Sequence, residues 1–345
     1  MLGSLELLGA QMKEVWKQGE MFKLPTSYKK VKNIALLGMG GSAIGMHFIK
    51  SVFADELEVP VEIINDYKLP ALVNKDTLVI ASSYSGGTEE TLQAVSEAKK
   101  RKAKIVVISA GGKLAEFALR QSSVRAKSNK LPALIFTTKN NPCKQPRMGL
   151  GYSIVGQIVI LQKAGLLKKV AIQKMMKTIE EFDKKLGVKA GEATNPAMQF
   201  AKKLLDKSVW FAGSEHLVGN AHIAANQMNE NGKRFAGYFA LPELNHHLLE
   251  GMVNPKSNKD SLFFILFNSN LYYPRVQKRY NITKDVLAQN VISCEIYQCQ
   301  AKDKLSQACE VLVFSAYLSY YCAMLSGIDP SNIPFVDYFK KEMAS

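Results

Sequence analysis

Cysteine is scarce in this chain. There are five in 345 residues (Cys143, Cys294, Cys299, Cys309 and Cys322), an odd number with no C-x-x-C pair among them. That excludes a disulfide framework and a zinc site of the usual spacing, and it predicts a reducing, cytoplasmic setting. Acidic residues are also few: 30 Asp and Glu stand against 45 Lys and Arg, a formal charge of +15. The excess suits anionic partners such as phosphorylated metabolites, nucleic acid or anionic lipid, without choosing among them. The first residues carry Glu6 and no basic stretch, so no secretory signal is expected. Long uncharged apolar runs are absent except at residues 311–328, which could span a membrane by length. Ser315, Ser319, Ser326 and three tyrosines in that run, with Glu310 and Asp329 at its ends, predict a buried helix of a globular domain instead.

What is present fits a globular protein. Hydrophobic residues make up 47% and charged residues 22%, which disfavours disorder, collagen and coiled coil. The length gives two domains on the usual prior. Unbroken apolar runs at 33–37, 61–64, 77–81, 104–108 and 134–136 read as buried strands. Helical patterns at 43–53, 88–102, 113–119 and 149–164 lie among them, which predicts a parallel doubly wound sheet. Residues 1–30 read as a leading helix and linker, and the lysine-rich stretch 166–195 as a solvated helix plus linker. A second alternation follows: strands at 208–213, 261–267 and 291–297, a helix at 218–230, and the 311–328 helix.

Two glycine-rich loops carry chemistry. Gly38-Met39-Gly40-Gly41-Ser42 joins the first strand to a helix, but a dinucleotide fingerprint needs glycine where Ala43 stands. Backbone N–H groups at Gly40, Gly41 and Ser42 can still close on an anion at the helix start; a plain tight turn is the alternative. Ser82-Ser83-Tyr84-Ser85-Gly86-Gly87-Thr88 is sharper. Hydroxyls at Ser83, Ser85 and Thr88, with glycines between them and a helix start behind, make an uncharged phosphate cup. An N-cap role explains Thr88 alone but not three hydroxyls across two glycines. Glu89 and Glu90 oppose a phosphate there unless they point outward.

These two loops, with Gly111-Gly112-Lys113-Leu114 after the next strand, resemble a sugar isomerase (SIS) domain. More narrowly, three motifs are similar to the bifunctional phosphoglucose/phosphomannose isomerases of archaea and some bacteria. They are Gln145-Pro146-Arg147, Asn229-Glu230-Asn231-Gly232-Lys233 and Leu241-Pro242-Glu243-Leu244-Asn245-His246-His247. The matches run in order from about Gly38 to Lys340. The resemblance implies an α/β fold of two SIS (flavodoxin-like) domains, each a parallel sheet flanked by helices. They are expected at 1–165 and 196–345, joined by a linker helix at 166–195.

It also implies an aldose-ketose isomerase for glucose 6-phosphate and mannose 6-phosphate, without cofactor or metal. Gly41, Ser42, Ser83, Ser85 and Thr88 would hold the phosphate and Glu230 would be the base. Arg147 would face the enediolate or a phosphate oxygen, its guanidinium charged at any working pH. His246 would assist ring opening from the neighbouring subunit of a homodimer, and Lys340 would help it. His247 stands where relatives carry Asn, which leaves His246 or His247 open, and a slip of one residue would exchange Lys340 for Lys341. Gly87 is a further departure, since relatives carry Asn there.

Two other functions share the SIS resemblance. A phosphosugar-sensing regulator would carry a helix-turn-helix, and the residues before the first strand are too few for one. An isomerase half of a glucosamine 6-phosphate synthase is disfavoured by the pairing of Glu230 with His246. No base-reading motif accompanies the lysines, so neither nucleic acid nor membrane is an expected partner.

Overall fold

The computed structural model describes residues 1–119 and 130–344; residues 120–129 and 345, which the expected domain spans include, lie outside the description. The chain forms two compact units, residues 6–177 and residues 1–5 with 178–345, and the division falls inside one helix.

After α1 (Leu2–Glu6), whose residues 2–5 group with the second unit, the first unit runs through α2 (Leu8–Glu20), β1 (Asn33–Leu37) and α3 (Gly41–Val52). Then come β2 (Val61–Ile64), β3 (Thr77–Ser83), α4 (Glu89–Lys100), β4 (Lys104–Ser109), α5 (Gly112–Leu119), β5 (Ala133–Ile135) and α6 (Leu150–Lys163). All five strands pair in parallel in the order β2-β1-β3-β4-β5. Alternate strand residues Ala35, Leu37, Val79, Ala81, Ile105 and Val107 pack on Ala94, Val95 and Ala98 of α4 and Leu114 and Ala118 of α5. β3 is buried at every position, which is why it reads as a continuous apolar run. The expected leading helix is two helices, and α2 packs on α6. Gly19 is required at that contact: a Cβ there would come 2.7 Å from Val159.

The second unit takes α7 (Ile172–Leu186), in which the division falls, α8 (Pro196–Lys203), β6 (Ser208–Gly213), α9 (Val218–Glu230) and β7 (Ala236–Ala240). The short α10 (Leu244–His247) and α11 (Asn258–Ser261) precede β8 (Leu262–Asn268) and α12 (Pro274–Gln289). β9 (Ser293–Gln298), α13 (Lys304–Leu325) and α14 (Pro334–Ala344) complete it. Its four strands are parallel in the order β7-β6-β8-β9, which repeats the neighbour pattern of β2-β1-β3-β4.

Two expectations need correction. The 166–195 stretch is not simply solvated: Ile172, Met175, Ile179, Phe182 and Leu186 are buried along one face of α7, with the lysines on the rest. β7 and α12 were not foreseen. β7 is short and only partly buried, and α12 has few buried residues, so both lack a strong apolar signal. The 311–328 run falls in α13 as far as Leu325, with 326–328 beyond the helix end; α13 is long and apolar enough to cross a membrane, but 83% of its most apolar stretch is buried inside the protein.

Candidate functional site

Four loops converge at the carboxyl end of the first sheet, where β1 and β3 are neighbours and their connections leave in opposite directions. The β1–α3 loop turns at Gly40, whose φ of +48° suits glycine, and Gly41 opens α3. A Cβ on Gly41 would lie 3.1 Å from both the Arg147 Cα and the Pro146 carbonyl oxygen. Gly41 is therefore a close-approach glycine that seats the Arg147 turn against the start of α3. Ser42 fastens this loop to the next: its Oγ accepts the Tyr84 N–H at 3.0 Å, and its carbonyl accepts from Ser82 Oγ and Gln157 Nε2, both at 2.9 Å. The Ser42 N–H itself donates to Met39 O, so it is already engaged within the turn.

The β3–α4 loop forms the cup. Ser83 Oγ lies 2.9 Å from Thr88 Oγ1 and accepts the Gly86 N–H at 3.1 Å, and Ser85 Oγ accepts the Gly87 N–H at 3.3 Å. Thr88 stands at the N-cap of α4, yet its side chain makes no capping bond. The hydroxyl is turned to Ser83, and the positive end of the helix faces the loop. Ser85 and Gly87 are exposed while Ser83 is buried, so the loop presents a rim over a fixed floor.

The β4–α5 loop locks that floor. Gly86 has φ +69°, and a Cβ on it would sit 1.8 Å from Gly111 O. Gly112, at φ +67°, would clash with Ser85 O at 2.4 Å. Ala110 N donates to Tyr84 O and Leu114 N to Gly86 O. The Gly111-Gly112 pair is thus a structural partner of the cup. Sequence reading found the pair but not this task, because the clash is with a residue 25 positions away.

Arg147 lies in a 3-10 turn, Pro146–Met148, and is 4% exposed. Its Nη1 donates to Gln145 Oε1 at 2.9 Å, which explains the glutamine in Gln145-Pro146-Arg147. Gln11 of α2 holds the far side of the turn, donating to Met148 O at 2.9 Å and accepting the Gly151 N–H at 3.1 Å. Tyr84 completes the arrangement: its hydroxyl accepts from Asn141 Nδ2 at 2.8 Å, and burial raises its pKa. Gln11 and Tyr84 escaped the sequence reading, since nothing local marks a helix glutamine or a loop tyrosine as a brace.

Gly41, Ser42, Ser83, Ser85, Thr88 and Arg147 therefore come together in the first unit, while Glu230, His246 and Lys340 belong to the second. Glu230 is the last residue of α9 and half-buried. His246 is exposed on α10, and Lys340 is exposed on α14. His247 is also exposed, with Nε2 3.0 Å from Glu243 Oε2.

The second sheet has the same switch point between β6 and β8, but it is filled by the protein itself. Ser214, His216, Ser269 and Tyr272 on its two loops are all buried. His216 Nε2 lies 2.9 Å from Gln307 Oε1, which also accepts from Ser269 Oγ at 2.6 Å. Burial lowers the His216 pKa, which favours the neutral ring. Among the described residues, no group of three or more His, Cys, Asp or Glu is placed to hold a metal ion. All five cysteines are free; burial pushes the Cys294 and Cys322 thiols up to about 12.

Two lobes with one parallel strand pattern, and a hydroxyl-lined glycine loop at the first switch point, define a sugar isomerase of the SIS class. The SIS domain model matches residues 27–141, and the model of the bacterial phospho-glucose isomerase C-terminal SIS domain matches residues 193–343. A bifunctional phosphoglucose/phosphomannose isomerase of Caldicellulosiruptor bescii is 30% identical over 100% of this chain and 99% of its own. One from Thermoplasma volcanium is 28% identical over 91% of this chain and 92% of its own. A solved structure of a hypothetical protein from Thermus thermophilus shares the fold with a TM-score of 0.75 at 17% identity, covering 99% of this chain and 89% of that one. The chain belongs to the bifunctional phosphoglucose/phosphomannose isomerase family.

Proposed function

We propose that this protein interconverts glucose 6-phosphate and mannose 6-phosphate with fructose 6-phosphate through an enediolate, as a cytoplasmic homodimer and without a metal. The single observation that carries the phosphate half is the cup, whose hydroxyls and helix start are held open by Gly86 and Gly112 and not spent on a cap. A phosphate needs donors at fixed positions, and hydroxyls with helix N–H groups supply them without a lysine.

Glu230 removes the C2 proton of the opened aldose, and the electron pair moves onto the carbonyl oxygen. The same carboxyl returns the proton to C1 while the C2 hydroxyl proton passes to O1, giving the ketose. Glucose and mannose phosphates differ only at C2, and both give the same planar enediolate, so one base serves both epimers. Arg147 supplies the positive charge that the oxyanion requires; a guanidinium fixed by Gln145 needs no reorganisation as the charge develops. His246 and Lys340 open the sugar ring, His246 reaching the site of the neighbouring chain. Their exposure on α10 and α14 supports that role.

A coupled assay on chelator-treated protein tests the reading. Fructose 6-phosphate turns over to both aldose phosphates, and Glu230→Gln lowers kcat by about 10³-fold or more with substrate binding retained. Wild-type turnover in that variant would remove Glu230 from the mechanism. Binding without turnover in the unaltered protein would identify a sensor instead.

A further inference from the structure

We propose that Lys233 is a positioning residue, a single ammonium that fixes Glu230 at the end of α9 relative to the segment leading into α14. The proposal rests on the reading of Glu230 as base and Lys340 as ring-opening group. Its structural content is independent of that reading.

A helix end leaves its last carbonyls without intrahelical donors. Glu230 O is one of them, and Lys233 Nζ donates to it at 2.7 Å. The same Nζ donates to Asn332 O, 99 positions on. For the side chain to fold back so soon after the helix, the backbone must reverse within two residues. Gly232 permits this, since a Cβ there would meet Met228 Sδ at 2.6 Å and Met228 O at 2.8 Å. Lys233 itself then takes φ +52°, a conformation that non-glycine residues seldom adopt. The reversal is completed by Gly232 N and Asn231 N to Gln227 O and by Arg234 N to Met228 O.

The other side of Glu230 is clamped as well. The Asn229 amide donates to Ala225 O and Ala236 O and accepts the Ala236 N–H at 3.0 Å, which ties the end of α9 to the start of β7. At the far end of the Lys233 bridge, Asp329 accepts the Ser331 N–H at 2.8 Å and the Asn332 amide at 3.2 Å. That turn presents the Asn332 carbonyl and leads, through Pro334, into the helix that carries Lys340. The Ser331 N–H lowers the Asp329 pKa, and the Lys233 charge acts in the same direction. Two carbonyls from two segments need two N–H donors at one point, and a positive charge at a helix carboxyl end is favourable. Lysine meets both needs, whereas methionine keeps the stem and meets neither.

The test uses the full-length protein and fructose 6-phosphate. Lys233→Met lowers kcat by about 10- to 100-fold while KM changes less than about 3-fold, because the phosphate grip lies elsewhere. Lys233→Arg restores part of the loss, and the acid limb of the kcat–pH profile moves in the Met variant. In a Glu230→Gln background, Lys233→Met costs nothing further, the signature of a residue acting through Glu230. If Lys233→Met fails to fold, Lys233→Gly, which takes the positive φ without strain, carries the same measurement. Unchanged kcat in either variant, or full additivity with Glu230→Gln, would overturn the proposal, as would failure of both to fold. An active Glu230→Gln would instead remove the base assignment, so the two failures are told apart.

Discussion

Gly86 and Gly87 are neighbours in the cup with opposite tolerances. At Gly86 a Cβ would collide with Gly111 O at 1.8 Å, on a backbone with φ +69°. Gly86→Ala is expected to cost about 3 kcal/mol or more in stability and to raise KM for the sugar phosphate, read by thermal denaturation and steady-state kinetics. At Gly87 the nearest atom to an added Cβ is Ser85 Oγ at 3.9 Å, and the position is exposed. Gly87→Asn, which adds the amide that the family resemblance implies there, is expected to leave Tm within a few degrees and to lower KM. A rise in KM for Gly87→Asn would show that the missing amide had no part in the cup. Local composition pointed to the loop because three Ser/Thr hydroxyls and two glycines in the six residues 83–88 have few other uses. The braces Gln11 and Tyr84 were not legible, because each acts on atoms more than 50 residues away.

Among the elements, α8 shows how a single side chain can set a junction. Asn195 caps α8 by accepting the Met198 N–H at 3.2 Å, and its amide donates to Leu186 O at 2.9 Å and Tyr321 Oη at 3.1 Å. It is 1% exposed, so a truncated side chain takes the cap from the Met198 N–H and a donor from Gly187 O, while Leu186 O keeps the Tyr321 hydroxyl. Asn195→Ala is expected to cost about 2–3 kcal/mol, lowering Tm while kcat and KM stay as they are. The strands were legible wherever both faces are covered, as in β3, where every residue is buried. β7 escaped because it is only partly buried, and the buried face of α7 because charge counting weighs its lysines without asking where they point. Helix α13 escaped a membrane reading through its serines and tyrosines, and its Glu310 shows why: that buried carboxylate accepts the Gln300 and Ala301 N–H groups and the Tyr297 hydroxyl.

For the molecule as a whole, stability should fall with acid. Burial lowers the pKa of both His216 and His222, so the unfolded chain takes up protons first as the pH drops below about 6.5. The stability these neutral rings contribute is complete above that value and is lost as the pH falls further, approaching about 1.4 kcal/mol per pH unit for each proton. Glu310 works the other way, its raised pKa making the fold relatively better at lower pH, so the net slope is shallower than two histidines alone would give. His222→Phe, which keeps the stack on Tyr238, should flatten the decline in Tm between pH 7.5 and 5.5; an unaltered slope would place the titration elsewhere. The paired lobes carry one more consequence. A chain built on two copies of one strand pattern carries the hydroxyl loop at the switch point of the first and fills that of the second with His216, Gln307 and Ser269. On the proposed reading of the cup as the phosphate site, the number of sugar phosphates held follows chains and not lobes, so a titration with fructose 6-phosphate should saturate at one per chain.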